Sequence, residues 1–370
     1  MTLSDRLAAG LGSGAVQVIL GVRGSLSGFF DQELPGRLAR AGVDRPRLVV
    51  VDAAAGPSAD QLRRTVLSRL TDAGRYGVIV RHGEALAEDA MGVLCGIASR
   101  GGADVFVEAS DRSIERVAAT AAASGRAALH EDSGSAEAFW SGRGAELRLE
   151  ELVWDTARKR HLRNPGRMLE LLRYFARTAG EPHSVLSVAD EMTRQGHPVS
   201  DKTVKSMMRA LEDAMLIERV PSWDIRARSF RRTPERIYPS AVSLASVLGP
   251  QAGLKPRRLL EILRAMRSAG CTAASPFLSV VGRDKGGRAV RGRIETDFLC
   301  TRGSSSMYVR YEEAIDPVTA DRADAVRTML RIPDLFDKVI VTEGEFAPWR
   351  TRRGVRVVSI GDFAGGRLFG

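Results

Sequence analysis

A glycine-containing segment near the amino terminus has the position of a phosphate-binding loop. It follows an apolar run ending at Leu20 and has the sequence Gly21-Val22-Arg23-Gly24-Ser25-Leu26-Ser27-Gly28. A loop of the form G-x-x-x-x-G-K-[ST] needs its second glycine for close phosphate approach, its lysine for the β- and γ-phosphates and its hydroxyl for Mg²⁺. Counted from Gly21, those three places hold Leu, Ser and Gly. Backbone amides at a helix start still favour an anion. We therefore predict a degenerate nucleotide-binding loop, or a turn that only connects two elements, with the candidate residues Gly21, Arg23, Gly24, Ser25 and Ser27.

The third apolar run of the chain also departs from nucleotide chemistry. A strand that positions Mg²⁺ and polarises water usually ends in Asp-Glu, whereas here Val78-Ile79-Val80 is followed by Arg81-His82. A cation in that place repels a metal ion, and Glu84 is typical of an acid that begins a helix. We predict no catalytic residue and no metal ligand in this part of the chain, and therefore no ATP hydrolysis.

The elements that position this loop form an α/β pattern. Apolar runs at Ala15–Gly21, Leu48–Asp52, Gly77–Val80 and Asp104–Val107 alternate with segments of helical periodicity at Ser58–Asp72, Ala85–Ser99 and Asp111–Ala123. Continuous apolar runs are typical of buried parallel strands, and their alternation with helices builds a sheet that is covered on both faces. The first domain is thus predicted to be an α/β domain with a parallel sheet.

The pattern lapses at Glu131–Glu146 into small and acidic residues, which is typical of a linker or a shortened lid. Leu147–Gly180 is then strongly helical. From about residue 233 onward, helices again mix with apolar strands such as Val339–Thr342 and Val355–Ile360. We predict three domains, comprising residues 1–140, 141–232 and 233–370.

The middle region contains an amphipathic helix with a basic outer face. Ser200 is a suitable N-cap, and inward-facing apolar residues recur from Val204 to Met215 at helical spacing. A strand at Leu216–Val220, a turn at Pro221-Ser222 and a basic return strand at Arg226–Arg232 complete a predicted winged helix-turn-helix. Such a module reads DNA or packs against protein. Its candidate nucleic-acid-binding residues are Lys202, Thr203, Lys205, Arg209, Arg226, Arg228, Arg231 and Arg232.

The composition limits the class of protein and its partners. The 370 residues include 44% hydrophobic and 27% charged residues, which is typical of a globular chain, and the net charge of +10 favours nucleic acid or another anionic partner over a neutral one. Cys95, Cys271 and Cys300 are scattered without a C-x-x-C pair, so neither a disulfide framework nor a zinc site is indicated. We expect a cytoplasmic protein without a membrane span.

Three continuous strings carry a resemblance to a known family. They are Leu171–Phe175, Ser200–Val204 and Leu211–Pro221. With them the chain resembles a prokaryotic family of predicted AAA+ ATPases that carry a winged helix and a C-terminal domain of unknown function. Gly21 and Arg23 fit the start of the family's loop, but the rest of the loop and the acids after the third strand do not. The resemblance implies a P-loop domain, a winged helix and a restriction-endonuclease-like α/β domain, without the family's catalytic residues.

In that family the last domain needs carboxylates for Mg²⁺ and a lysine that orients water. Glu295 and Asp297 lie on one face of the predicted strand Ile294–Phe298, because strand side chains alternate. The next predicted strand, Met307–Glu312, places Arg310 and Glu312 where a second acid and a lysine or small residue are expected. We therefore interpret Glu295 and Asp297 as a nuclease remnant that pairs at the surface with Arg291 or Arg293, and we predict no metal and no nuclease activity.

The leading hypothesis is a catalytically degenerate AAA+-like protein that acts as a DNA-binding or protein-binding scaffold through its winged helix. Its partners would be double-stranded DNA or another protein, it would need no cofactor, and a homo-oligomer is compatible with the sequence. The alternative is an ATPase that binds ATP and Mg²⁺ through an atypical loop. A metal-dependent nuclease is the third hypothesis.

Overall fold

In the computed structural model, the described residues are 7, 10–71, 74–132, 134–249, 253–283 and 289–366, with the side chains at 232–233, 281–283 and 289–291 left aside. The chain divides into two units. The first comprises Met1–Arg163 and Arg209–Leu216, and the second comprises Asn164–Met208 and Ile217–Gly370. The predicted division into three domains remains a prediction.

The first unit contains a five-stranded sheet in the order β2-β3-β4-β1-β5, in which every pairing is parallel. This sheet is consistent with a Rossmann- or P-loop-like domain. The four predicted strands are confirmed, and a fifth, in an alanine-rich segment, was not predicted. The strands are β1 (Val16–Leu20), β2 (Leu48–Asp52), β3 (Tyr76–Arg81), β4 (Ala103–Ala109) and β5 (Ala127–Glu131).

Helices alternate with these strands as the periodicity predicts. Ser58 begins one of them with a capping box to Gln61. The interval predicted as a linker or a shortened lid contains a helix whose Trp140 is only 1% exposed. The helices are α1 (Leu34–Arg40), α2 (Ala59–Leu67), α3 (Glu88–Ser99), α4 (Ser113–Ala123), α5 (Gly134–Ser141) and α6 (Ala145–Lys159).

The second unit begins with the order helix, strand, helix, helix, strand, strand. Asn164 caps the first helix, and Pro165 is its first residue. The predicted turn at Pro221-Ser222 is wrong, because both residues belong to a strand with a register shift and the chain turns at residues 225–228. The elements are α7 (Pro165–Arg177), β6 (Pro182–His183), α8 (Val185–Arg194), α9 (Asp201–Asp213, with Arg209–Asp213 grouped in the first unit), β7 (Ile217–Asp224) and β8 (Ser229–Pro239).

The boundary predicted at residue 232 falls inside β8, and the sheet continues beyond it. The order is β14-β15-β13-β12-β11-β9-β7-β8-β6, with β10 also paired to β9. β12, β13 and β15 are parallel, whereas β9, β11 and β12 are antiparallel. The remaining elements are α10 (Val242–Val247), α11 (Leu254–Ser268), β9 (Thr272–Arg283), β10 (Ala289–Glu295), β11 (Phe298–Arg302), β12 (Ser305–Tyr311), α12 (Asp324–Leu330), β13 (Asp337–Thr342), β14 (Trp349–Arg350), β15 (Arg356–Ser359) and α13 (Ile360–Ala364).

Among the described residues, no helix combines the length and the apolar composition that crossing a bilayer requires.

Candidate functional site

The carboxyl ends of the strands in the first unit border a crevice with a volume of about 240 Å³. Arg23 enters it after β1, Glu84 after β3, and Ser110 and Asp111 after β4, while α6 forms another wall. Ligands of open α/β sheets bind at this edge, where the strand order reverses. Pockets for small molecules usually measure ~300–1,000 Å³. The crevice therefore has the expected position of a ligand site but a smaller volume.

The loop after β1 is closed against the core by Leu26. This side chain is 1% exposed and belongs to the apolar cluster around Ile19 and Phe30. A Cβ added to Gly21 would lie 2.6 Å from the Leu26 Cγ, so position 21 accepts only glycine while Leu26 is present. The amides of Gly21 and Ser25 donate to the carbonyls of Ala109 (3.1 Å) and Val22 (2.8 Å). Two amides of the predicted anion-binding loop are thus already paired.

Arg23, the cation of the predicted loop, forms an ion pair with Asp155 on α6. The same carboxylate contacts Arg158 at 2.6 Å and Lys159 at 3.3 Å. Burial alone would raise the pKa of Asp155, but these three cations hold it below its ordinary value. Asp155 was not among the predicted site residues, although its spacing to Arg158 and Lys159 (i+3 and i+4 on a helix) is a local signal for ion pairs.

The other charges of the crevice are paired as well. Arg160 contacts Asp111 at 2.8 Å and Asp213 at 2.9 Å. Both oxygens of Glu84 accept hydrogen bonds from Ser110, one from its amide (3.1 Å) and one from its hydroxyl (2.9 Å). The cations and carboxylates that line the crevice therefore neutralise one another.

Arg81, at the place of the metal-binding acid, is held by two carboxylates. It forms ion pairs with Glu108 on β4 and with Asp31 at 2.6 Å. Burial raises the pKa of Glu108, and its contact with Arg81 offsets only part of that effect. His82 has a left-handed backbone (φ 58°) and contacts Asp52 at 2.9 Å. The described residues contain no cluster of three or more His, Cys, Asp or Glu that could hold a metal ion.

Taken together, these residues differ from those of a typical Mg²⁺–nucleotide site at three positions. An ammonium for the β- and γ-phosphates, a hydroxyl for the metal and a free carboxylate at the end of β3 are replaced by Ser27, Gly28 and a paired arginine. Phosphoryl transfer depends mostly on positioning and charge stabilisation by those groups.

The second candidate surface is the outer face of α9. The Ser200 hydroxyl accepts a hydrogen bond from the Thr203 amide at 3.3 Å, as its N-cap position predicts. The apolar face is buried, whereas Lys202 and Lys205 are exposed. No ion pair joins either lysine to another described residue. Thr203 is half-buried, with its hydroxyl 2.9 Å from that of Ser200, and Arg209 is exposed.

The β7–β8 hairpin presents further cations at its tip. Arg226 and Arg228 lie exposed in the turn, and Arg228 has a positive φ of 49°. Asp224 orders this turn by accepting hydrogen bonds from the Arg226 and Ala227 amides, and it also contacts Arg231 at 3.1 Å. The Ala227 amide, with help from Arg231, lowers the pKa of Asp224. The side chain of Arg232, also predicted to bind nucleic acid, lies outside the described residues.

The predicted nuclease remnant has a different environment from the one expected. The strand expected at Ile294–Phe298 is interrupted at Thr296-Asp297. Asp297 is 5% exposed and accepts a hydrogen bond from the Tyr311 amide at 2.7 Å, so its predicted surface pairing is wrong. Glu295 does contact Arg293 at 2.7 Å, as expected, and also Arg236 at 3.1 Å.

Arg310 pairs with Glu312 at 2.6 Å. These residues, at the end of β12 and just after it, occupy the two positions that differ from a nuclease pattern. They therefore form a local ion pair in place of a metal site's acid and lysine.

Comparisons with known proteins extend this description only slightly. A family model described as a domain of unknown function (DUF8612) matches residues 148–257, and no curated protein matches the chain. A structure of Drosophila ORC bound to AT-rich DNA and Cdc6 has a TM-score of 0.24 and 11% identity, covering 65% of this chain and 88% of that one. The corresponding structure with GC-rich DNA has a TM-score of 0.26 and 12% identity, covering 66% and 88%.

Protein VC1899 from Vibrio cholerae has a TM-score of 0.21 and 11% identity over 96% of this chain and 97% of that chain. Scores of this size do not establish a shared fold. The region from α6 to the start of α11 is therefore similar to a domain family of unknown function, and the five-stranded parallel sheet defines the class of the first unit.

Proposed function

We propose that the protein binds duplex DNA through a winged helix formed by α7 to β8. We also propose that its first unit does not hydrolyse ATP. The observation that carries the proposal is the outer face of α9, where Lys202 and Lys205 are exposed and form no ion pair with another described residue. Lysines of this kind are available for phosphate oxygens.

The order of elements supports the winged-helix assignment. α7, β6, α8 and α9 are followed by the antiparallel pair β7–β8, and β6 adds to the edge of β8. At 1.5 Å per residue, a helix of 13 residues is ~20 Å long, and the major groove, ~12 Å wide, accepts a helix. In this arrangement α9 enters the major groove and the hairpin contacts the adjacent backbone.

The hairpin supplies cations for that contact. Arg226 and Arg228 are exposed at the tip, and Asp224 holds the turn in one conformation through two backbone amides. An ordered turn loses less entropy when it binds. Arg231 is the less available cation because it already contacts Asp224.

The residues of the loop after β1 and of β3 support the proposal that ATP is not hydrolysed. Leu26 belongs to the core, Arg23 is neutralised by Asp155, and Arg81 is held by two acids. No cofactor enters this proposal, and steady ATP turnover that is lost on substitution within residues 21–28 would contradict it.

The test of DNA binding compares two pairs of cations. Fluorescence anisotropy with a labelled duplex at several salt concentrations should give a salt slope of about −0.9 per neutralised phosphate. The double variant Lys202→Ala/Lys205→Ala should bind more weakly, with a slope smaller by ~2, whereas Arg352→Ala/Arg353→Ala should behave like the wild type.

The control arginines are also exposed, so charge is removed equally in both variants. Equal weakening by both pairs would indicate diffuse attraction to a basic protein. No duplex binding at near-physiological salt would reject the proposal and favour a protein-binding role.

A further inference from the structure

A groove with a volume of about 810 Å³ lies within the second unit, beside the basic face of α9. It is lined by the first two turns of α9, the first residue of α8 and the strands β7 and β8. Its volume is within the range of ~300–1,000 Å³ that is usual for small-molecule sites. The groove is more than three times as large as the crevice in the first unit.

The lining combines apolar walls with a few polar groups. Val185 and Pro221 provide apolar surface, and Met208 lies beneath it with only 1% of its surface exposed. Arg219 and Glu235 form a two-point ion pair at 2.9 and 2.8 Å, in which Glu235 is only 6% exposed. This pair occupies both carboxylate oxygens, so it forms a fixed and neutral part of the wall.

The remaining charges of the groove favour an anion. Lys202 and Lys205 line it together with Asp201, so positive charge is in excess once Arg219 and Glu235 are matched. The amino-terminal end of α9, where Asp201 and Lys202 lie, also carries the positive end of the helix dipole. Apolar walls with a cationic edge match a ligand that has an apolar body and one acidic group.

We propose that this groove binds a small amphipathic organic anion, whose carboxylate, sulfonate or phosphate contacts Lys202 and Lys205 and whose apolar part packs on Val185 and Pro221. A second step of the proposal rests on the proposed function. Because the same two lysines would contact the DNA backbone, an occupied groove and a bound duplex exclude each other, and the ligand acts as a releasing effector.

The first experiment measures ligand binding to the groove in the absence of DNA. 8-Anilinonaphthalene-1-sulfonate, an aromatic sulfonate that fluoresces in apolar surroundings, should bind the full chain saturably with one site. Val185→Trp, which puts a bulky ring against the apolar wall of the groove, should weaken this binding strongly, whereas Leu186→Trp at the next, exposed position should not. Excitation of the dye itself keeps the introduced tryptophans out of the signal.

Lys205→Ala is the second variant, and it is safe for folding because the side chain is exposed. It should lower the affinity for the dye about five- to ten-fold, as expected for one lost charge-assisted contact. Arg353→Ala is its control and should leave the affinity unchanged. Non-saturable fluorescence, or equal affinity in the wild type, Val185→Trp and Lys205→Ala, would overturn the assignment of the groove.

The second experiment adds a labelled duplex. If dye and duplex compete, the apparent Kd of the duplex should rise linearly with dye concentration, and Val185→Trp should keep its duplex affinity while losing its response to the dye. Dye binding without any effect on a tightly bound duplex would overturn the effector step alone. Dye binding to a protein that binds no duplex would retain the groove and reject the proposed function.

Discussion

The cations of the first-unit crevice and those of the α9 face differ in whether they have partners. Arg23 and Arg160 of the crevice, and Arg81 at the end of β3, each contact a carboxylate that is 49 or more positions away in the chain. Lys202 and Lys205 have no such partner among the described residues. An arginine that is held by carboxylates orders the fold around it, whereas a solvated lysine is available to a ligand. Charged residues in a sequence therefore do not locate a binding surface until their ion-pair partners are known.

The largest loss of stability is expected from a substitution of Leu26 in the loop after β1. Leu26→Gly restores the second glycine of a phosphate-binding loop but removes a core side chain, so the first unit should lose about 3–5 kcal/mol of unfolding free energy. Urea unfolding measures the loss. Ser27→Ala, one residue further on and half-buried, is the control and should change stability by less than about 0.5 kcal/mol. Full stability of Leu26→Gly would mean that this side chain does not fill the loop.

A smaller effect is expected from Asp155→Asn, which removes the carboxylate shared by Arg23, Arg158 and Lys159. Because the carboxylate is partly exposed, the loss of stability should be about 1–2 kcal/mol. The freed cations should also gain affinity for pyrophosphate, seen as a rise in Tm with pyrophosphate concentration.

Glu151→Gln is the matched control for this substitution, because it removes one exposed acid from the same helix. If Asp155→Asn and Glu151→Gln respond equally to pyrophosphate, the crevice is not the site that gains the anion.

The hairpin variant Arg226→Ala/Arg228→Ala tests how much the hairpin contributes to duplex binding relative to α9. It should weaken duplex binding by about 1 kcal/mol, less than the α9 pair, because a wing contacts backbone outside the groove. Anisotropy at two salt concentrations checks both the affinity and the slope. A loss greater than that of Lys202→Ala/Lys205→Ala would make the hairpin, and not α9, the main contact.

The last prediction concerns the dependence of stability on pH. Burial lowers the pKa of His183 on β6 below its ordinary value of 6.5. Its contribution to stability is therefore present above pH 6.5 and is lost as the pH falls through the lowered folded-state pKa, by at most about 1.4 kcal/mol per pH unit. Urea unfolding at pH 7.5 and 5.5 should show the loss.

His183→Gln should reduce this pH dependence, whereas His161→Asn, at an exposed position with a positive φ, should retain it. Identical pH profiles for the wild type and His183→Gln would contradict the assignment.

Much of the fold of the first unit could be predicted from the sequence. Leu48–Asp52 and Val78–Val80 are continuous apolar runs, which are typical of buried parallel strands, and both became strands. β5 was missed because Ala127 and Ala128 have little strand propensity, so the pairing with β1 is what holds them extended. Pro221-Ser222 has the composition of a turn, but it lies in β7 at a register shift, because a strand can pass through proline at a bulge.

Less of the candidate site could be predicted. The face of α9 followed from periodicity alone, since apolar spacing defines the buried side and leaves the lysines outside. Arg23 and Asp155 are 132 residues apart, so their ion pair depends on how α6 packs and has no local signal. The burial of Asp297 likewise depends on the Tyr311 amide of a neighbouring strand.

One strand of the second unit limits how the chain can vary in length. β9 pairs with β11 through Thr272–Ala274, with β7 through Ser275–Phe277 and with β10 through Phe277–Arg283. A residue inserted after Ala274 would keep the first register but move the next two by one position, and it would turn every later side chain of β9 to the opposite face. We therefore expect β9 to tolerate no insertion or deletion, and the turn at residues 225–228 to tolerate them. A scan of single-residue insertions, read out as the stability of each variant, would test both expectations.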